Sequence, residues 1–453
     1  MKKLTYGYLT TLLLAAFLLP AFTGMAQDAW TLERCVQHAI ENNIQIKQQT
    51  LNVNYRENQE TQARLNRLPN LNGQIGYDFN FGRSLNYDNT YTDQNSQDAS
   101  FYVGSEVTLF QMFAKENTLK QRRLELQAAL MDLEKARDDI ALNVVSAYLE
   151  ILFNKELVAT ATEQLTVTRE QIEHNRKQVE AGNLARGKLL ETEAQFASEE
   201  LNLTNYENQL KLSLINLEQL LELPLSDGFD IVIPEIDAST LTKSLLMSES
   251  VYDKAVQERP EILSKEFTLS SLEKQAAIAK AQLYPTLTAG ASYYTNYNNK
   301  YRFTTGTGPG DLIPFDEQFR NNRRLNVGLT LRIPVFNGYT ARTNYKNTII
   351  QYESGKYDLQ LEKNNLRKQI EQVHANAIAA LKKYESSQKA VKSAEEAFRY
   401  VQEKFNLGIV TPLEFNDSKN KVTAAQSSFI QAKYEYIFRV KILDFYNGVA
   451  IQL

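Results

Sequence analysis

The sequence of 453 residues contains one cysteine, one tryptophan and three histidines. A single cysteine forms no disulfide within its own chain, so a disulfide-stapled domain is excluded. Cys35 lies in the helix-like segment LERCVQHAIENN and is predicted to be a packed core residue. His38, His174 and His374 are far apart and lack the spacing of metal ligands. We therefore expect neither a metal site nor a cofactor.

The motifs of common enzyme classes are also missing. The chain contains no HExxH, GxSxG or Walker sequence. The segment GTGPG at 306–310 is more typical of a flexible surface turn than of a phosphate-binding loop. The chain carries 50 basic and 54 acidic residues, and this mildly acidic balance argues against a nucleic-acid partner. An enzyme and a nucleic-acid-binding protein are both disfavoured.

Long apolar runs are absent except for LTTLLLAAFLLPAF near the N terminus. This run follows Lys2 and Lys3 and precedes the small-residue segment GMA, an order typical of a cleaved signal peptide. A membrane anchor is the alternative, but the run is short for a helix that spans a bilayer. Residues 1–26 are therefore predicted to be a signal peptide, with no lipid-anchoring cysteine after it.

Aromatic residues are plentiful, with 24 Tyr and 21 Phe, and many fall in segments that alternate between apolar and polar residues. Four such segments are predicted to be strands, at about 70–82, 99–111, 286–298 and 324–336. In the last of them, Leu325, Val327 and Leu329 share one face. A sandwich strand alternates in the same way, but four such segments in an exported chain favour transmembrane barrel strands.

Two landmarks recur at one offset and predict an internal duplication. VTLFQMF aligns with IPVFNGY (333 − 107 = 226), and Gly182 aligns with Gly408 (408 − 182 = 226). We predict a first repeat at 27–222, a linker at 223–249 and a second repeat at 250–453. Each repeat contains a helix of roughly forty residues, two strands, a very long helix, a glycine turn and another long helix.

The long helices exclude a compact globule. Residues 113–181 contain no Gly or Pro, and residues 340–407 contain only Gly355. Helices of this length extend roughly 100 Å. Pro69 and Pro285 stand where a helix gives way to a strand, which suggests a helix in the aqueous periplasm and a strand in lipid. Four strands cannot close a barrel alone, so this α+β membrane protein must oligomerise.

These features together resemble the TolC-type outer membrane factor family. The resemblance rests on the order and spacing of TLERCVQHAIENN, LNRLPNL, AQLYPTL, LRIPVFNGY and FNLGIVTPLEFNDSKNK. It implies a homotrimer in outer-membrane lipid, with a twelve-stranded barrel and a twelve-helix periplasmic tunnel. It also implies an exit duct for an efflux pump or a type I secretion system. The duct would dock to a periplasmic adaptor protein and an inner-membrane transporter.

The two glycine tips are the predicted docking sites. Gly182 and Gly408 interrupt long helices, and glycine accepts the left-handed backbone conformation of a helix-ending turn. This turn is expected whatever the function. The resemblance further implies that the tips meet the adaptor, through Asn183, Leu184, Leu407, Ile409 and Val410.

An acidic pair follows the second tip. Glu414 and Asp417 are three residues apart and share a helical face, so an ordinary exposed pair is one interpretation. The resemblance implies the other, which is two stacked carboxylate rings at a closed periplasmic entrance. A tyrosine and an arginine that lock this entrance in other members correspond to Phe405 and Val410. Other bonds must therefore hold a closed entrance in this chain.

Two further functions compete with an export duct. A general porin shares the barrel strands but has no use for helices of periplasmic length. A coiled-coil scaffold of the envelope shares the helices but has no use for lipid-facing strands. The combination of both elements favours the duct.

Overall fold

The structure, a computed structural model, describes residues 30–85, 89–93, 95–224, 228–234, 247–305 and 308–449. The predicted signal peptide and residues 235–246 of the predicted linker lie outside these ranges. The helices are α1 (Leu32–Asn42), α2 (Ile44–Leu65), α3 (Ala114–Glu180), α4 (Arg186–Leu220), α5 (Ser248–Glu258), α6 (Pro260–Ala281), α7 (Phe315–Asn321), α8 (Thr340–Asn406) and α9 (Pro412–Tyr446). The strands are β1 (Asn72–Asn80), β2 (Arg83–Leu85), β3 (Tyr91–Asp93), β4 (Ser96–Phe110), β5 (Thr286–Asn298), β6 (Arg302–Thr305), β7 (Gly308–Leu312) and β8 (Arg324–Arg332).

The helix bounds of the two halves recur at constant offsets. Helices α5 and α6 start at the same offset from α1 and α2 (248 − 32 = 216 and 260 − 44 = 216). Helices α8 and α9 start at a second common offset from α3 and α4 (340 − 114 = 226 and 412 − 186 = 226). The offset changes across the strands and their connecting loops, because these segments differ in length between the halves.

The helix that precedes each strand pair is broken, so the prediction of one helix of roughly forty residues is wrong. In the first half the break is at Asn43, whose side chain accepts a hydrogen bond from the Gln45 backbone N–H and caps α2. In the second half the break is at Arg259, and Pro260 occupies the first turn of α6. Proline favours this position because the N–H that it lacks has no partner there.

The four long strands form one antiparallel sheet in the order β1-β4-β5-β8. Its register aligns Val103, Tyr293 and Leu325 in one row, and Gly104, Ser292 and Asn326 in the next. Because paired residues of adjacent strands point to the same side, the apolar residues of all four strands share one face. The aliphatic side chains of β8 on this face are exposed in the single chain.

Some strands end at residues other than the predicted ones. Strand β8 ends at Arg332, before the predicted 336, because Pro334 cannot donate a ladder hydrogen bond. Beyond the other ends of the strands, the chain adds two small hairpins, β2–β3 and β6–β7, and the short helix α7. Gln318 of α7 is buried and makes three hydrogen bonds, two of them to the backbone of Asn298.

The helices continue the sheet as four columns. Near the strands, α2 packs on α3, α3 on α6, and α6 on α8, in the order of the strands. Farther from the strands, α3 pairs with α4 and α8 with α9. The long helix α8 passes through Gly355 without a break, and the missing side chain lets Leu272 of α6 approach closely. The described helices contain no apolar stretch long enough to cross a membrane.

The main core lies midway along the columns, where α1, α3 and α4 meet. Cys35 is fully buried there, and burial raises the pKa of its thiol to about 12. Trp30 forms a parallel bridge with Ile231, and the hydroxyl of buried Tyr148 donates to the carbonyl of Val232 at 2.5 Å. The predicted linker therefore packs against the first helices through the part that the structure describes.

Candidate functional site at the helical tips

The first tip joins α3 to α4 through Gly182. This glycine has φ +75°, and no atom lies within 4 Å of the position of an added Cβ, so backbone conformation selects glycine here. The Gly182 N–H donates to the Val179 carbonyl at 3.0 Å, and the Asn183 N–H donates to the Gln178 carbonyl at 2.8 Å. These two bonds form a Schellman motif, which ends the helix and reverses the chain.

The second tip repeats this geometry at the same offset. Gly408 has φ +73°. Its N–H donates to the Phe405 carbonyl at 2.9 Å, and the Ile409 N–H donates to the Lys404 carbonyl at 2.9 Å. Each tip is therefore a hydrogen-bonded turn.

The helix that leaves the second tip starts with a capping box. The Glu414 N–H donates to Thr411 Oγ1 at 3.2 Å, and the Thr411 N–H donates to Glu414 Oε2 at 3.0 Å. The first tip has no side-chain cap at Ala185. The carboxylate of Glu414 therefore stabilises its own helix.

The predicted docking residues divide into two groups. Leu407 and Ile409 are 75% and 68% exposed at the second tip, beside Leu413, which the sequence analysis missed. Leu184 and Val410 are half-buried and line a groove of about 640 Å³ between the two tips. Asn183, Phe405 and Gly408 also line this groove, together with His174, Lys188 and Phe415. The structure thus brings residues from both halves of the chain to one surface.

Like Glu414, the other predicted aperture residues, Phe405 and Asp417, have partners within their own chain. The Phe405 ring packs against Phe415, with the ring centroids 4.5 Å apart, and Phe415 also contacts Phe398. Asp417 is exposed and accepts a hydrogen bond from Lys421 at 2.7 Å. Of the two predicted ring acids, one caps a helix and the other pairs with a lysine.

The structure also reveals a buried polar cluster at the end of the groove that is farther from the tips. The sequence analysis missed this cluster. It consists of Thr168 of α3, Glu199 of α4 and Lys419 of α9. Lys419 lies one helical turn after the buried Phe415. A lysine on the apolar side of a helix is the sequence signal that marks it. Within the described ranges, His, Cys, Asp and Glu side chains form no cluster suited to a metal ion.

Comparison with known proteins gives one consistent result. The sequence profile of the family described as outer membrane efflux protein matches residues 35–222 and 251–448. The chain is 21% identical over 434 residues to the outer membrane protein TolC of Vibrio cholerae, covering 94% of this chain and 93% of TolC. It is 23% identical over 387 residues to the alkaline protease secretion protein AprF of Pseudomonas aeruginosa, covering 82% and 76% of the two chains.

Solved structures show the same likeness. The chain superposes on CusC with a TM-score of 0.78 at 17% identity, covering 92% of both chains. It superposes on the outer membrane protein VceC of Vibrio cholerae with a TM-score of 0.76 at 16% identity, covering 93% of this chain and 97% of VceC. Likeness at these identities establishes the fold.

Proposed function

Because the chain belongs to the outer membrane efflux protein family, we propose that three copies form a passive exit duct through the outer membrane. The duct serves an efflux pump or a type I secretion system. Its helical tips dock to a periplasmic adaptor protein, which connects it to an inner-membrane transporter. Substrates pass through the interior, and the chain itself performs no chemistry.

The observation that carries this proposal is the four-stranded sheet with one continuous apolar face. Strands β1 and β8 each have only one neighbour, so the sheet has two open edges. Open edges are not tolerated in hydrocarbon, so β8 of one copy must pair with β1 of the next. All neighbouring strands are then antiparallel, and a closed ring of antiparallel strands needs an even number of them. Three copies then supply twelve strands.

The length of the helices favours a duct over a general porin. Helices α3 and α8 each contain 67 residues and extend roughly 100 Å. A porin needs short turns on its periplasmic side, whereas a duct must reach a partner across the periplasm. The constant offsets between helix bounds further support a duplication, in which each repeat supplies two strands and one long hairpin.

Two exposed apolar stripes identify the proposed contact between copies. The α2 stripe is Ile44, Leu51 and Tyr55, and the α8 stripe is Ile350, Tyr357 and Leu361. Helix α2 leads into the edge strand β1, and α8 follows the edge strand β8. When β1 and β8 of neighbouring copies pair, α2 and α8 become neighbours too. The two stripes then cover each other.

A cysteine pair tests this contact. Tyr55 and Ile350 each lie ten residues from the strand-side end of their helix, or about 15 Å by helix rise. We expect the variant Tyr55→Cys/Ile350→Cys to form covalent dimers and trimers with a flexible bismaleimide. The native Cys35 is buried and does not compete.

The matched control pairs Tyr55→Cys with Tyr400→Cys. Tyr400 is equally exposed but lies near the far end of α8. This pair should stay monomeric on a denaturing gel. Equal cross-linking in both variants would contradict the proposed seam.

A second prediction concerns the periplasmic entrance. If Glu414 and Asp417 of three copies converge there, trivalent cobalt hexammine should block the channel from the periplasmic side. The variant Glu414→Gln/Asp417→Asn keeps the capping geometry and should need about tenfold more blocker, because the carboxylate charge is gone. Single-channel recording in planar bilayers measures this block.

The variant Lys421→Ala is the control for the entrance. Lys421 pairs with Asp417, so its removal should strengthen the block by freeing a carboxylate. Equal block in the wild-type channel and in both variants would mean that these acids face solvent outside the channel.

A further inference from the structure

A buried polar cluster joins the two long hairpins of each chain. We call α3 with α4 hairpin 1, and α8 with α9 hairpin 2. Lys419 of hairpin 2 is 6% exposed, and Glu199 and Thr168 of hairpin 1 are 7% and 1% exposed. Charged side chains are rarely this buried unless they are paired. The cluster therefore merits a functional explanation.

The hydrogen bonds of the cluster satisfy both charges. The Lys419 ammonium donates to Glu199 Oε1 at 2.8 Å, to the Thr168 hydroxyl, and to the Gln164 carbonyl at 3.5 Å. These three acceptors match its three protons. The Thr168 hydroxyl donates to Glu199 Oε2, and Gln195 donates to Glu199 Oε1 at 3.0 Å. The bonds of Lys419 all cross from one hairpin to the other.

The position of the cluster relates it to the entrance. From the tips, the groove extends toward the strands as far as Val167, the residue before Thr168. The cluster therefore lies at the end of the groove that is farther from the tips. Farther from the tips, Lys433 and Glu156 also bridge the hairpins, but their side chains are 23% and 33% exposed.

The cluster is not a general requirement of the hairpin packing. At the offset that relates Gly182 to Gly408, Thr168 corresponds to Ala394, Glu199 to Ala425 and Lys419 to Glu193. Hairpin 2 thus carries alanine at the two positions where hairpin 1 carries the acceptors. A helical hairpin of the same length forms without these polar groups. The cluster therefore serves the contact between the two hairpins rather than the packing inside either one.

A buried ion pair between two hairpins stabilises their contact only while both partners are present. While the hairpins touch, the pair is compensated by its own hydrogen bonds. If one partner is removed, the other is left buried and unpaired, and it regains solvation only when the hairpins separate. Separation of the hairpins would expose both charges to water, where each is solvated without the other.

We propose that Lys419, Glu199 and Thr168 form a latch that holds hairpin 2 against hairpin 1 and keeps the entrance narrow. This inference rests on the proposed export duct. Phe405 and Val410 have no side-chain hydrogen-bonding group at the tips, and the latch supplies the missing bonds one level above them. The three residues act by positioning the hairpins and do not contact the substrate.

Single-channel conductance of the full-length trimer tests the latch. We expect Lys419→Met to raise basal conductance several-fold, because it leaves Glu199 buried without its partner. The matched control is Lys433→Met, which removes the half-exposed bridge farther from the tips and should conduct like wild type.

A second pair of variants removes only one hydroxyl group each, so that misfolding does not decide the test. Thr168→Val keeps the shape of the side chain and removes its hydroxyl, so it should raise conductance in the same direction by a smaller factor. Its control is Thr166→Val, because the Thr166 hydroxyl bonds only to the Thr162 carbonyl of its own helix among the described contacts.

The outcomes are distinct. Intact trimers of Lys419→Met and Thr168→Val that conduct like their controls would overturn the latch and leave the duct standing. If Lys419→Met fails to assemble, the comparison of Thr168→Val with Thr166→Val decides. A wild-type trimer that forms no channel at all would overturn the duct, and the latch with it.

Discussion

Replacing Ile409 with Asp is expected to abolish export while leaving the trimer intact. Ile409 and Leu407 are among the exposed large apolar residues of the second tip, and no part of the described chain covers them. Large apolar side chains that are clustered and exposed mark a protein-interaction surface, and a carboxylate covered by the partner there would lose its hydration without gaining a hydrogen-bond partner. Export of a reporter substrate should fall at least tenfold, in proportion to the loss of adaptor binding.

The barrel lies roughly 100 Å from this tip by helix rise, so assembly should not change. The variant Leu184→Asp tests the groove independently of the exposed tip. Ile409→Val is the conservative control and should export like wild type. Adaptor cross-linking that stays unchanged in both Asp variants would count decisively against docking at the tips.

Replacing Leu329 with Arg is expected to prevent assembly. Leu329 lies in the middle of β8 opposite Ala289, on the continuous apolar face, and it is 69% exposed. An arginine that faces lipid near the midplane costs about 2–4 kcal/mol in each copy. The yield of heat-modifiable trimer in outer-membrane fractions should drop to a small part of the wild-type yield.

The neighbouring residue supplies the control. Thr330 lies opposite Thr288, on the polar face of the same strand. Thr330→Arg introduces the same charge at the same depth but directs it toward the interior, so trimers should form. Equal yields from both variants would mean that the apolar face does not contact lipid.

The sequence predicts the regular elements of this fold well, because each is specified locally. Alternation over about ten residues predicts β5 with the bounds that the structure shows. The long helices α3 and α8 follow from segments almost free of Gly and Pro. The GTGPG segment was predicted to be a surface turn, but its last three residues begin β7. Its residues 306–307 and all of the predicted signal peptide lie outside the described ranges.

The features that the sequence analysis missed depend on distant contacts. Asn43 breaks the first helix in a polar stretch that has no proline, and its side chain also donates to the Leu220 carbonyl. Gly355 lies inside a predicted long helix without an evident reason in the sequence, and in the structure it accommodates Leu272 of another helix. Lys419 follows Phe415 by one helical turn, but its partners Glu199 and Thr168 belong to the other half of the chain, so the sequence does not show that these three side chains meet.

The two turns at the tips were predictable for a different reason. Gly182 and Gly408 interrupt two long helical patterns, so the turns are visible in the sequence. The groove between them is formed by two segments at different ends of the chain, and its lining depends on how the hairpins pack. The capping role of Glu414 was present in the sequence as Thr411-Pro-Leu-Glu414, a capping-box pattern.

The most direct test of the proposed duct is an electron cryomicroscopy map of the purified protein in a lipid nanodisc. We expect three copies around one axis, with β8 of each copy hydrogen-bonded to β1 of the next and α2 packed against the neighbouring α8. The twelve strands should enclose one channel that continues into the helical tunnel. A single copy with free strand edges, or a ring closed through any other strands, would contradict it.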